Sequence, residues 1–403
     1  MTIKEAVAAK APDQYAIAQI LKVQAMHRVT DIYGPLPYFN TRTSGLVTAY
    51  DPQDSIYYSF FKDLDSSIKM LTSFLSVKPE AKPLSILDLV YQGDYYRWIR
   101  FANALKLRLA VRIVYVNPEL AKKYAEEAVN NDYGIITENA DNAIIRGIAG
   151  HPLNIINNDY NDIRMGANME SFLKGYRDPR ISVYFQQANL SNGSGYHGIR
   201  TGISITDAAQ YRTFSRLQML QNVIWLTCSE VFFLRAEGAL RGWNMGGTAQ
   251  QLYETGMQRS FEQWGLPGAA AYLNGTSLPS VYSDPVFSGN NVTAGINLST
   301  ITVKWNDASS FEAKLERIIT QKWIAMFPEG QEAWSEFRRT HYPKVFPVRI
   351  NNSGGAINTD SQIKRMPFPQ SEYLTNAPGV QTGIKKLEGA DNGGTRLWWD
   401  KKP

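Results

Sequence analysis

A mainly α fold is predicted: a scaffold of helix pairs of the tetratricopeptide-like kind, carrying long irregular insertions and a few short strands. Three observations predict it. Apolar residues recur with a helical period in eight segments that fall into four neighbouring pairs. Glycine or proline punctuates the turns between them, and no strict repeat of about 34 residues survives, so the pairs are units of an interrupted array. The scaffold is expected over about 13–131, 221–264 and 311–340, and an irregular ligand-facing layer over about 132–220, 265–310 and 341–403, all in a single unit over 1–403.

The first pair runs from about Asp13 to Val29, with Ile17, Ile20, Leu21 and Met26 inward, and from about Asp54 to Phe74, with Ile56, Phe60, Phe61, Leu64, Ile68 and Leu71 on one side. Gly34, Pro35 and Pro37 stop its first helix. The second pair follows Gly93: Trp98, Phe101, Ala102, Leu105, Leu109 and Ile113 form a stripe, and Asn117-Pro118 opens the partner with proline at its first position.

The third pair, Val223 to Gly265, is the one around which the rest is arranged. Cys228, Phe232, Ala236, Ala239, Leu240 and Trp243 lie on one stripe, and Ile224, Trp225, Val231 and Phe233 make its flanks apolar too. A helix apolar on most sides is central. Gly242, Gly246 and Gly247 end it, Thr248 caps the next, and Ala249, Gly256 and Ser260 are small enough for two backbones to approach closely. In the fourth pair Phe311, Leu315, Ile318, Ile319, Trp323, Met326 and Phe327 precede a return helix from Pro328 through Trp334 and Phe337.

The insertions are rich in Asn, Gly, Ser, Asp and Pro, yet they hold Tyr160, Tyr176, Tyr184, Tyr196, Trp305, Phe346, Trp398 and Trp399. Disordered segments are poor in aromatics, so a folded second layer is expected, with short strands at Ile181 to Phe185 and Gly198 to Ile205. Trp398 and Trp399 are expected to dock.

Charge narrows the function. Forty-two basic against 37 acidic residues leave +5, and the densest basic group, Lys106, Arg108 and Arg112, is interleaved with Leu and Val in a helix, which gives nucleic acid no basic face. The one cysteine, Cys228, allows no intrachain disulfide and no thiolate metal site. No apolar run reaches the roughly 18 residues of a membrane span, and MTIKEAVAAKAPDQ lacks the form of a signal peptide while starting in mid-helix pattern.

Site signals are sparse. Gly193 to Gly198 spells a dinucleotide loop, but no helix follows it, so a turn is the simpler reading. Asn157, Asp159 and Asn161 offer oxygens at alternate positions; Asp162 and Asn168 stand where a calcium loop of the EF-hand kind needs Gly and Glu, leaving an irregular calcium site as the residual option. His27, His151, His197 and His341 are too scattered for a zinc motif. Glu329, Glu332 and Glu336 share a helix face, for which a favourable helix N-terminus and pairing with Arg339 are a sufficient reason. Tyr196, His197, Arg200 and Trp305 are the candidate ligand contacts, because Gly and Asn neighbours favour projection of such side chains; burial against the scaffold is the competing account.

Six stretches taken together carry a resemblance: TDIYGPLPYFN (Thr30 to Asn40), ESFLKGYRDPRISVYF (Glu170 to Phe185), SEVFFLRAEGALRGW (Ser229 to Trp243), TQKWIAMFPEGQEAWSEFRRTHYP (Thr320 to Pro343), RMPFPQSEYLTN (Arg365 to Asn376) and DNGGTRLWWDK (Asp391 to Lys401). The chain resembles the SusD/RagB nutrient-binding outer-membrane lipoproteins of Bacteroidetes-type bacteria. The resemblance implies a non-enzymatic cell-surface receptor that captures an oligosaccharide, or in some members a peptide, and delivers it to a SusC-like TonB-dependent transporter. It implies no cofactor and fixes no ligand residue. Relative to the family, the N-terminal part of the fold, the signal peptide and the lipid-bearing cysteine of the membrane anchor are expected to be missing from this sequence. A helical glycoside hydrolase with a carboxylate pair and a protein-binding repeat adaptor are the alternatives.

Overall fold

The structure, a computed structural model, describes residues 7, 9–39, 47–147, 150–190, 193–293 and 298–403. The opening residues in which a helical pattern is expected to be already under way (1–6 and 8) lie outside them, as does Asn40. Packing groups the chain into two compact bodies, Met1–Ile136 with Ile363–Pro403, and Thr137–Gln362. This division cuts across the expected scaffold and layer.

In the first body α1 (Pro12–Tyr33) and α2 (Gln53–Val77) fold back on each other, and α2 also packs on α3 (Tyr95–Arg112), which pairs with α4 (Pro118–Val129). Each start is fixed locally. Asp94 accepts a hydrogen bond from the Arg97 N–H and Asn117 one from the Leu120 N–H, satisfying donors that have no partner within the helix. The C-terminal segment docks here as expected: the buried Trp399 donates its indole N–H to Asp31 Oδ1 at 2.8 Å, and the Arg112 guanidinium lies 5.2 Å from its ring. Two short helices, α12 (Gln370–Thr375) and α13 (Ala377–Ile384), belong to this body.

In the second body α7 (Cys228–Leu240) is buried on nearly every side and packs against α8 (Ala249–Gln263) and α10 (Phe311–Ala325); α10 in turn meets α11 (Gly330–Thr340). Thr248 and Gln251 form a reciprocal capping box at the start of α8. The helices approach closely at Gly256: a Cβ there would lie 3.1 Å from the Phe233 ring, which would have to give by a few tenths of an ångström, and Ser229 donates to the Gly256 carbonyl at 2.7 Å. Cys228 is a core thiol, pushed by burial up to about 12.

A few short strands are present as expected, but away from the two segments singled out. β1 (Ala143–Ile145) pairs antiparallel with β4 (Val223–Leu226), and β2 (Ala188–Leu190) with β3 (Gly193–Gly195). The predicted strand at Ile181 to Phe185 is instead a helical turn, α6 (Arg180–Tyr184), because Asp178 accepts from the Arg180 N–H and from its guanidinium and so nucleates a turn behind Pro179. Local capping outweighs the β-branched Ile181 and Val183. Gly198 to Ile205 contributes a single bridge, Ile199 to Gly166.

Candidate functional site

The sequence-predicted residues divide by exposure. Tyr196 is half-buried, with its carbonyl accepting from Lys174 Nζ at 3.3 Å. His197 beside it holds Nδ1 3.7 Å from Glu170 Oε1; burial lowers its pKa against the opposing pull of Glu170. Arg200 is buried and spent on backbone, donating Nη1 to the carbonyls of Asn290 and Asn291 and Nη2 to that of Pro347, each at 3.1 Å. Trp305 does not project: it is 8% exposed, its N–H donates to Asp307 Oδ1 at 2.8 Å, and its ring packs 5.4 Å from Tyr253 of α8. Glycine and asparagine neighbours free the backbone around a tryptophan without preventing its burial.

Of the three residues considered for calcium, Asn157 and Asn161 have their oxygens engaged by protein donors. Asn157 is fully buried and pairs with the backbone of Leu217, accepting from its N–H at 3.1 Å and donating to its carbonyl at 3.2 Å. Asn161 Oδ1 accepts from Arg164 Nη2 at 2.7 Å, and the Asn157 carbonyl from Arg216 Nη2 at 2.6 Å. Guanidinium groups thus sit on the Asn157 carbonyl and the Asn161 side-chain oxygen, at two of the three positions considered for a cation.

Of Glu329, Glu332 and Glu336, Glu336 pairs with Arg339 as expected. Arg339, fully buried, donates to both oxygens of Glu237 at 2.7 and 2.6 Å and to both of Glu336 at 3.0 and 2.6 Å. Arg241 adds to Glu237 at 2.8 Å and Lys322 to Glu336 at 3.1 Å. These acids are neutralised in the core, not presented in a cleft.

What the structure does present is an aromatic cleft of about 370 Å³ in the second body, within the roughly 300–1,000 Å³ of small-molecule sites. Trp323 of α10 and Phe327 one turn later form one wall, and Gly330, Ala333, Trp334 and Phe337 of α11, spaced as one helix face, form the other. Trp323 and Trp334 are both partly exposed. Arg338 fixes Trp334 from behind, its guanidinium carbon 3.5 Å from the ring centroid, and Phe327 stacks on Tyr184 at 4.5 Å. The polar rim comes from Asn168 at the start of α5 (Ala167–Gly175) and from Gln362. Asn168 Oδ1 accepts from the Phe346 N–H at 2.7 Å and Gln362 Nε2 donates to the Phe346 carbonyl at 3.1 Å. Among the described residues Asn168 Nδ2 and Gln362 Oε1 have no hydrogen-bond partner, which leaves a donor and an acceptor at the edge of an apolar floor. Among the described lining residues Glu329 is the only carboxylate.

Such a lining suits stacking on apolar ring faces with hydrogen bonds at the edge. Sequence reasoning passed over it because Trp323, Phe327, Trp334 and Phe337 fall on the helical stripes that read as core. The spacing of Trp323 and Trp334 across one turn was the available signal.

Among the described residues no helix is long and apolar enough to cross a membrane. Comparison with curated proteins found no match. Solved structures match closely. A chitin-binding SusD homologue from Flavobacterium johnsoniae is 46% identical with a TM-score of 0.94, over 98% of this chain and 83% of that one. A SusD homologue from Bacteroides uniformis is 42% identical with a TM-score of 0.90, over 99% and 84%. One from Bacteroides thetaiotaomicron is 40% identical with a TM-score of 0.91, over 99% and 85%. The family model described as SusD-like, SusD and RagB outer membrane lipoprotein, matches residues 1–400, and this chain belongs to that family.

Proposed function

We propose that the chain is a non-catalytic oligosaccharide-binding protein that works at the cell surface of the outer membrane and hands its ligand to a SusC-like TonB-dependent transporter. Chitin-type oligosaccharides, β-linked 2-acetamido sugars, are the first ligands to test. One observation carries this reading: 46% identity to a chitin-binding SusD homologue over 98% of the chain. The aromatic cleft supports it, since Trp323 and Trp334 offer the flat faces that sugar rings cover, and Asn168 and Gln362 offer a donor and an acceptor for hydroxyl or acetamido groups. Tyr196 and His197, on a half-exposed loop, are proposed as outlying contacts of lesser weight.

Calorimetric titration with chitohexaose, maltohexaose and a mixed hexapeptide, with chromatography of each mixture after prolonged incubation, tests the reading. Saturable binding of chitohexaose without shortened products is expected. Trp334→Ala is expected to weaken it by about tenfold or more, one stacked ring contributing about 1–3 kcal/mol as aromatic stacking does elsewhere, while Tyr196→Ala has a smaller effect. Product formation would return the glycosidase, and absence of binding by any of the three ligands would leave the protein adaptor.

A further inference from the structure

A second surface of the same body has a chemistry the cleft lacks. Residues Ile155–Asp159 make a single π-helical turn, a rare form often found at functional sites. Two asparagines three residues apart weld it to the segment 217–220. Asn157 pairs with Leu217 as described, and Asn154 does the same with Leu220, donating to its carbonyl at 2.8 Å and accepting from its N–H at 3.1 Å. Each side-chain amide imitates one residue of a neighbouring strand. The turn is thereby rigid, and its next residue, Tyr160, stands 68% exposed.

Three arginines converge on this framework. Arg164 is held by oxygen acceptors, donating Nε and Nη2 to the Arg212 carbonyl at 3.3 and 2.8 Å and Nη1 to the Ile163 carbonyl at 2.7 Å. Arg216 uses Nη2 on Asn157 and Asn158, and its Nε is buried without a partner. The Arg212 guanidinium is exposed and, among the described residues, has no hydrogen-bond or ion-pair partner. None of the three forms an ion pair within 4 Å; Asp162, exposed, is the carboxylate that acts on Arg164, and Arg212 and Arg216 act on it in the opposite sense. Carbonyl and amide oxygens orient Arg164 and Arg216 without neutralising them. Against the exposed Asp159 and Asp162, the three arginines leave an excess of positive charge on this patch, and the exposed Tyr160 belongs to the same short segment.

We propose that this surface binds the anionic group of an acidic saccharide, a sulfate ester or a uronate carboxylate, with Arg212 and Arg216 on the anion and Tyr160 against the sugar ring. A guanidinium matches either anion through parallel N–H donors; Arg216 is already held and loses little freedom on binding, while Arg212 has its donors open to the anion. The inference is independent of the chitin reading, because the neutral and acidic ligands report different surfaces.

The test is titration of the intact protein with a chondroitin sulfate hexasaccharide, its chemically desulfated form, sodium sulfate and chitohexaose, at low salt and at about 0.5 M NaCl, where exposed charges are screened. Binding of the sulfated hexasaccharide is expected, with loss at high salt and a drop of about tenfold or more in Arg212→Gln. Tyr160→Ala is expected to weaken the hexasaccharide but not sodium sulfate. Retention by the desulfated form assigns the uronate, and its loss the sulfate. Arg216→Gln, checked for an unchanged melting curve, provides a second variant. Failure of the acidic hexasaccharide to bind at low salt, indifference to Arg212→Gln, or an equal loss in the exposed control Lys304→Gln overturns the proposal, whatever chitohexaose does.

Discussion

Replacing Arg339 by Met removes the hub of the buried charge network while keeping most of the side-chain volume. Arg339 makes four charge-assisted hydrogen bonds, two to Glu237 on α7 and two to Glu336 on its own helix. With it gone, Glu237 keeps Arg241 and Glu336 keeps Lys322, so neither carboxylate is orphaned outright, but both lose their shortest contacts. Breaking a buried pair from one side costs about 3–5 kcal/mol, because the remaining charges have left water and kept too little in return. In a body of this size each kcal/mol moves the melting temperature by about 2–4 °C, so a drop of about 6–20 °C is expected. Scanning calorimetry measures it. The triple variant Arg339→Met, Glu237→Gln, Glu336→Gln separates charge from packing, since neutral partners need no hub, and it is expected to recover much of the loss. A cost below about 1 kcal/mol for Arg339→Met, or a triple variant no better than the single, would refute the reasoning.

Acid should destabilise the second body through the same residues. Burial alone would push the Glu237 carboxyl up, but the Arg339 and Arg241 guanidiniums more than offset it and hold the group below the usual carboxylate range. A carboxyl depressed in the folded state contributes stability that is complete above its unfolded value, about 4.3, and is lost as pH falls through the folded value. The urea midpoint is expected to hold between pH 7 and 5 and to fall below about pH 4, with Glu237→Gln flattening the acid limb; a wild-type midpoint already falling near pH 6 would contradict this. Asn157→Ala leaves the Leu217 N–H unpaired in a buried site, at a cost of about 1–3 kcal/mol, while the Leu217 carbonyl keeps the Gln186 side-chain N–H at 3.1 Å. Urea denaturation of Asn157→Ala and Asn157→Asp is expected to show losses in both, because Asp keeps the acceptor and gives up the donor; an unchanged midpoint in Asn157→Ala would show the turn to be held by other contacts.

Much of the scaffold was legible because helix stripes, caps and glycine turns are local signals. Cys228 at the centre, Thr248 and Asn117 as caps, Gly256 as a close approach and Trp399 as a docked residue all stand where periodicity and capping chemistry place them. What escaped was long-range. Nothing near Asn157 in the chain announces that its amide will pair with Leu217, sixty residues away, so its oxygens read as available ligands. Asp178 lies within local reach of Arg180, and there the error was of weight: a bidentate side-chain pair decides a five-residue segment against its β-branched residues.

The aromatic cleft shows why a division into scaffold and ligand-facing layer is too simple. Lys322 and Trp323 are consecutive on α10, yet the first is buried in the charge network and the second lines the cleft. On α11 Glu336 and Arg339 likewise face the network while Trp334 and Phe337 face the cleft. Successive helical residues point about 100° apart, so one helix can serve both directions without compromise. The ion pairs that fasten α11 to α7 therefore also set the position of Trp334, and a variant that loosens Arg339 should widen the distribution of cleft geometries before it unfolds the body. On the proposed reading, stacking rests on the helices, whereas Asn168, Val345 and Gln362 lie at the rim, where exchange of a side chain alters which hydroxyl or acetamido group is matched without disturbing the network beneath. Ligand preference can then change within the family at little cost to the fold, because the residues that choose and the residues that hold occupy different elements.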